Sequence, residues 1–376
     1  MIDGLGPGGA ERSLAAMSPH LVSRGVELHV VVLHDRAGFR GEVEAAGATV
    51  HSLADGRSRL QWFVRARALL GSLDPDLVHT TLFDSDLVGR TASRLRRLPV
   101  VSSLVNEQYG TEQHREFASR RLRLRGAHAV DIATAKLVAR FHAVSTPVAD
   151  VMAPRLHVSR SRIEVIPRGR DRAVLGECSP ARRAATRRRL GLAADVPLVI
   201  DVARQDHAKG LDTLLRAWPR VQARVPGAQL LLVGRDGSRS ALLRDLVDQL
   251  GIGASVRFLG VRNDVADLLC AADVFAFPSR REGLPGAVLE AMALSVPIVA
   301  SGLAATRDAV PDDSYATLVP VDDEAALAVG IVDALTDRAT AGTRAQRARE
   351  RFDARFSIEA VSEQMVDFYR RVLERG

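Results

Sequence analysis

Short continuous apolar runs alternate along this chain with longer segments whose apolar positions recur every three or four residues. The runs read as strands buried on both faces, and the spaced segments as helices that cover them. In the first half, Leu28–Leu33 and Leu77–Thr80 are strand-like, and Val100–Leu104 and Phe141–Val144 are shorter runs of the same kind. Helices are expected over Glu11–Arg24, Leu60–Leu73 and Ser85–Arg96, the last with Asp84 placed as its N-cap. After Ile163–Ile166 and Pro167 comes an arginine- and alanine-rich connection, Arg168–Leu192, that holds a surface helix. Alternation then restarts with strands Leu198–Val202, Gln229–Val233, Val256–Leu259, Val274–Phe277 and Pro297–Ala300. Helices Leu211–Arg224, Ser240–Leu250, Val265–Ala271 and Gly286–Ala293 separate them. The final segment, Ile358–Arg375, carries Ile358, Val361, Met365, Phe368, Tyr369 and Val372 on a single stripe.

This pattern predicts an α/β protein with two doubly wound, Rossmann-like domains. The boundaries fall at 1–168 and 169–356, and the last helix, 357–376, returns to the first domain. At 376 residues, two cores of ordinary size are accommodated. No run approaches the ~20 apolar residues of a membrane span. Cys178 and Cys270 suggest no disulfide framework and no metal cluster, and Cys270 reads as core, so the cytoplasm is the expected compartment.

The net charge of +7 changes the picture only slightly. The basic side is almost all arginine, fifty of them against two lysines, Lys136 and Lys209. Runs such as Arg187-Arg188-Arg189 lack interleaved aromatics, which make up 4% of the chain, so no nucleic-acid partner is expected. Solvated helix faces explain them, with a basic surface resting on anionic lipid at the inner face of a membrane as the alternative.

The most informative chemistry lies in Glu282-Gly-Leu-Pro-Gly-Ala-Val-Leu-Glu290. Gly283, Leu284, Pro285 and Gly286 form a turn that opens an apolar helix, where backbone N–H groups and the helix dipole favour a phosphate. Glu290, about two turns into that helix, would repel phosphate but can accept hydrogen bonds from vicinal hydroxyls such as those of a ribose. Phosphate donors beside hydroxyl acceptors suggest a sugar nucleotide. Arg204 and Lys209 follow the first strand of the second half, where a guanidinium and an ammonium can neutralise a diphosphate from two directions.

Near the N-terminus, Gly4-x-Gly6-x-x-Gly9 fits the dinucleotide fingerprint, and Asp35 stands where a ribose-binding acid would. Only Met1-Ile2-Asp3 precedes this loop, so the middle of the first sheet is expected to carry unpaired backbone groups. A few further apolar residues upstream are accordingly expected. Asp84-Ser85-Asp86 imitates a metal motif, but helix capping is the preferred reading. His79, at a strand end, is either an acceptor-side residue or a hydrogen-bonded structural histidine.

Taken together, these residues resemble a retaining glycosyltransferase of family 4 with the GT-B fold, in which two such domains face each other across a cleft. Gly6-Pro7-Gly8-Gly9-Ala10-Glu11 is similar to that family's glycine loop. Val165-Ile166-Pro167-Arg168-Gly169 is similar to its interdomain turn, with arginine in place of asparagine. Arg204 with Lys209-Gly210 and the Glu282–Glu290 pair complete the likeness. The resemblance implies sugar-hydroxyl contacts for Glu282, ribose contacts for Glu290 and a diphosphate or acceptor role for Gly8 and Gly9. It also implies backbone donors at Leu284 to Gly286. Arg204, Lys209 and Glu282 are the expected catalytic residues, and Val261 and Arg262 join the donor-binding set. His79 and Asn106 are acceptor-side candidates, since the strand Val101–Val105 is not followed by the family's histidine. Ala304-Ala305 stands at the family's glycine pair, and Ser295 in place of a glycine.

The expected reaction moves a sugar from a UDP- or GDP-linked donor to a hydroxyl of a glycan, lipid or small molecule, with no cofactor and no metal. A nucleotide-dependent oxidoreductase using the Gly4–Gly9 loop, and a non-catalytic basic binding protein on this fold, are the alternatives.

Overall fold

Short strands of three to five residues, most of them apolar and each followed by a helix, assemble into two all-parallel sheets. The computed structural model describes residues 1–54, 58–109 and 121–374. They divide into two units, Met1–Gly169 with Ser357–Gly376, and Arg170–Phe356.

The first unit contains β1 His29–Val32, β2 Thr49–Ser52, β3 Val78–Thr81, β4 Val100–Leu104, β5 Arg140–Ala143 and β6 Ile163–Val165. β1 pairs with β2, and β3 to β6 pair in sequence order. Ile2 joins the two parts through parallel bridges to Val32 and Thr81. Its N–H donates to Val31 (2.9 Å), the Met1 carbonyl accepts from Thr81 (3.0 Å), and the Asp3 carbonyl accepts from His34 (2.8 Å). The expected unpaired middle is therefore not observed, because three residues suffice to bridge the gap.

The helix Ile358–Leu373 belongs to this unit. Its Val361, Met365, Phe368 and Val372 are buried with Leu21, Val101 and Ile166. Each such side chain contributes on the order of 1.5–3 kcal/mol.

The second unit contains β7 Leu198–Val202, β8 Gln229–Val233, β9 Val256–Gly260, β10 Val274–Phe277, β11 Ile298–Ser301 and β12 Thr317–Val319. The order is β12-β11-β10-β7-β8-β9. Connections leave β7 toward one edge and β10 toward the other, so the strand order reverses between these two neighbours. Ligands of open α/β sheets bind at that point, beyond the carboxyl ends of the strands. The core on one face is organised around the fully buried Trp218, whose indole N–H donates to Ser255 Oγ at 3.0 Å.

Four expectations change. Asp84 does not cap the helix Phe83–Arg96; Leu82 is the cap position, and the Asp3 carboxylate accepts from Ser85 N–H at 2.8 Å. The arginine-rich helix Pro180–Arg189 is only in part a solvated face, with Arg188 and Arg189 exposed. Arg187, 2% exposed, donates to several backbone carbonyls and to Asp273, while Arg182 and Arg183 pair with Asp267 and Asp273. Helices Ala304–Ala309, Glu324–Thr336 and Arg338–Arg355 were not anticipated. The last buries Phe352 with three small alanines, Ala341, Ala345 and Ala348, which make a weak apolar signal.

The fourth change concerns the cysteines. Cys178 and Cys270 form a disulfide, with their Cα atoms 5.3 Å apart. Cys178 follows the short helix Arg172–Leu175 and Cys270 lies on Val265–Ala271, elements that are 92 residues apart in sequence and adjacent only after folding. The pairing removes the cysteine argument for a reducing compartment. No helix among the described residues is long and apolar enough to cross a membrane.

Candidate active site

The loops that leave β7 and β10 are held together at the reversal point. Gly210 has φ +63, and a Cβ there would stand 2.1 Å from the Pro278 carbonyl, so only glycine lets the two loops approach this closely. Arg280 braces the contact. Its N–H donates to Ala208, and its guanidinium reaches the His207 carbonyl and the carboxylates of Asp212 and Asp322. The approach carries Lys209 to Glu282: Nζ lies 2.5 Å from Oε1, and Ser279 Oγ donates to the same oxygen at 2.9 Å. Both side chains are mostly buried, at 24% and 11% exposed. Arg204 is half exposed and pairs with Asp206.

Pro285 is the N-cap of the helix Gly286–Ala293. Glu290 is its fifth residue, so it stands just over one turn in and not two. Its carboxylate is buried and accepts from Arg170 Nε at 2.9 Å. Beyond the ends of β8 and β9 a cavity of about 390 Å³ is lined by Gln205, Arg235, Asp236, Arg244 and Phe258–Val261. Val261 is largely exposed at its rim. Arg262 is gripped by both oxygens of Asp264, at 2.8 and 2.7 Å.

Sequence reasoning passed over three residues here. Arg170 and Arg280 were submerged among fifty arginines. Asp201, 1% exposed on β7, has no hydrogen-bond partner on either carboxyl oxygen among the described residues. Burial raises its pKa well above the carboxylate range; Lys209 opposes the shift and Glu282 adds to it. An acid inside the run Leu-Val-Ile-Asp-Val was the available signal.

In the first unit, Gly8 is the N-cap of the helix Gly9–Val22, and the Arg168 guanidinium lies against Gly9. Asp35, the supposed ribose acid, pairs with Arg40 at 3.1 Å and accepts from Ser52 at 3.2 Å. Asp84 pairs with Arg59, and Asp86 with Arg90 and Thr80. No metal-binding group of acids, histidines or cysteines occurs among the described residues. Asn106 is exposed.

His79 takes its hydrogen-bonded form. The Ile166 carbonyl can only accept, so His142 Nε2 donates to it (2.8 Å), and Nδ1 accepts from Ser103 (2.8 Å). Ser103 Oγ then accepts from His79 Nε2 (2.7 Å), and His79 Nδ1 accepts from the Tyr369 hydroxyl (2.7 Å). With both rings neutral, every donor in this run meets an acceptor. Burial, ahead of the mutual repulsion with His142, holds His79 well below the imidazole range, and burial pushes His142 down to about 4.

Residues 7–174 match the family model for Glycosyltransferase Family 4, and residues 196–337 that for Glycosyl transferases group 1. The chain belongs to glycosyltransferase family 4. It is 32% identical over 180 residues to the lipopolysaccharide core biosynthesis glycosyltransferase LpsE of Rhizobium meliloti, a match that takes in 48% of this chain and 52% of the relative. It is 29% identical over 361 residues to the 2-deoxystreptamine N-acetyl-D-glucosaminyltransferase of Streptomyces fradiae, covering 88% of this chain and 83% of that one. In fold, the chain is similar to Anabaena HepE in complex with UDP-glucose, at TM-score 0.84 and 24% identity over 98% of both chains. WaaG, a glycosyltransferase involved in lipopolysaccharide biosynthesis, gives TM-score 0.78 at 18% identity, covering 98% of this chain and 99% of the other. At these identities the structural likeness is one of fold. The match spans only about half the length of LpsE.

Proposed function

We propose that this glycosyltransferase moves a sugar from a nucleoside diphosphate to an acceptor hydroxyl, with retention and without a metal ion. The observation that carries the reading is the meeting of Lys209 and Glu282 at the strand-order reversal, close in sequence to the helix that opens at Gly286. In this reading the arriving diphosphate takes Lys209 from Glu282, and the released carboxylate oxygen accepts from the donor sugar. Arg204, Lys209 and the Gly283–Gly286 turn stabilise the charge that grows on the departing diphosphate. Glu290 accepts from the ribose, and the 390 Å³ cavity beside Val261 and Arg262 receives the base, a volume usual for a small-molecule site. The leaving phosphate oxygen removes the acceptor proton on the same face.

UDP and UDP-glucose are the ligands named for HepE, and a lipopolysaccharide core enzyme is among the relatives. Both support a nucleotide-sugar donor and a glycan or lipid acceptor. Gly8 and Gly9 are assigned to the donor diphosphate or the acceptor, and Asn106 to the acceptor. His79 has both nitrogens engaged and serves there as a structural group.

A donor-hydrolysis screen of UDP- and GDP-sugars with and without EDTA tests this reading. Turnover of at least one donor in EDTA is expected; complete loss on chelation, restored by manganese, would refute metal independence. By calorimetry, Glu290→Gln should weaken binding of the free diphosphate, and Glu282→Gln should weaken chiefly the sugar form. The reverse pattern would overturn the assigned roles.

A further inference from the structure

Arg170 stands at the start of the second unit, and its guanidinium lies inside the proposed donor site. Its Nε is 2.9 Å from Glu290 Oε1, with the two side chains 8% and 6% exposed. A Cβ on Gly286 would stand 2.1 Å from Arg170 Nη2, so the guanidinium occupies the space that a side chain at the first helical position would fill. The backbone on either side is anchored. Arg170 N–H donates to the Phe356 carbonyl at 3.0 Å, Asp171 caps the next short helix, and Cys178 is bonded to Cys270.

A glutamate's last torsion is broad and nearly two-fold, so a carboxylate in a cavity does not choose its own plane. A rigid, planar, buried donor chooses it. Desolvating such a pair costs about as much as the pair returns, and an apolar substitute is often equally stable, so stability alone gives little reason for it. We propose that Arg170 is a positioning residue that sets the plane of the Glu290 carboxylate, so that it accepts from both ribose hydroxyls of the donor. This rests on the proposed function, in which Glu290 receives the ribose.

The test is calorimetric binding of UDP and GDP, and of the same diphosphates lacking the ribose hydroxyls. The proteins are the intact chain, Arg170→Met, Arg170→Lys, Glu290→Gln and the Arg170→Met/Glu290→Gln double variant. The readout is the ratio of the two affinities within each protein, which a partly unfolded preparation does not alter. The unsubstituted protein should prefer the ribose form of its nucleotide by about tenfold or more, as for a hydrogen bond to a charged acceptor. Arg170→Met should reduce that ratio to about two- to threefold while still binding diphosphate, since the bond survives but not its alignment. Arg170→Lys, which keeps the charge without the planar fork, should also lower the ratio and carries the comparison if the Met variant does not fold. In the Glu290→Gln background, Arg170→Met should change the ratio no further. An undiminished ratio in Arg170→Met would overturn the inference alone; no preference in the unsubstituted protein would overturn it together with the ribose role of Glu290. No binding of either diphosphate by the unsubstituted protein would overturn the proposed function and this inference with it.

Discussion

Breaking the Cys178–Cys270 bond should destabilise the second unit substantially. The bond closes a loop of 92 residues, within which lie β7 to β9 and most of the helices that cover them. The chain-entropy relation for a loop of that length gives about 4.6 kcal/mol, acting by restricting the unfolded chain. A domain of this size shifts by about 2–4 °C for each kcal/mol, so the expected fall in Tm is on the order of 10–15 °C. Cys178→Ser is the cleaner perturbation because Cys178 is exposed, whereas Cys270 is 5% exposed in the core. Differential scanning calorimetry would compare the unsubstituted protein, oxidised and reduced with dithiothreitol, with Cys178→Ser. The reduced protein and the variant should show the same lowered transition, and thiol titration in denaturant should find no free thiol in the oxidised protein. Two titratable thiols without reductant, or a shift under about 3 °C in both perturbed forms, would refute the reasoning.

Three further outcomes are expected. Lys209→Ala should lose about 2–4 kcal/mol of transition-state stabilisation in kcat/KM, as when a donor to a developing charge is removed, while Lys136→Ala stays near the unsubstituted rate; equal losses would show that the lysines act only through folding. His142 has a folded pKa of about 4 against 6.5, so it contributes about 3 kcal/mol above pH 6.5 that is lost as pH falls toward 4. Asp86, raised to about 6 by burial, contributes in the opposite sense over much of that window, so the measurement is the difference in urea stability between His142→Gln and the unsubstituted protein across pH 7 to 4; an unchanged difference would refute it. Ser295 holds φ +53, in the left-handed region, and Ser295→Gly should raise Tm through a gain of about 0.5–1 kcal/mol; a fall would show that a contact of the side chain outweighs the backbone term.

Much of the second unit was legible from residues alone. Leu198–Val202, Leu211–Arg224, Gln229–Val233, Val274–Phe277 and Gly286–Ala293 are observed at the expected bounds, because a strand buried on both faces must be continuously apolar and Pro285 and Gly286 mark a helix start. The run Arg338–Arg355 was illegible for the converse reason. Its buried positions Ala341, Ala345, Ala348 and Phe352 keep helical spacing, but three of the four are alanines and further alanines and arginines occupy the other faces, so the apolar contrast is weak. The charged groups and the glycine turn that meet here were legible too, since they are local properties of Lys209 and the Glu282–Glu290 segment. Their partners were not. Lys209 lies 73 residues from Glu282, Arg170 lies 120 residues from Glu290, and Cys178 lies 92 residues from Cys270. A sequence states which groups can donate, accept or oxidise, whereas the order of strands decides which of them meet. Here β7 and β10 are neighbours in the sheet although two strands separate them in the chain. That crossover, together with the glycine at 210 that lets the loops touch, turned two distant charges into one site.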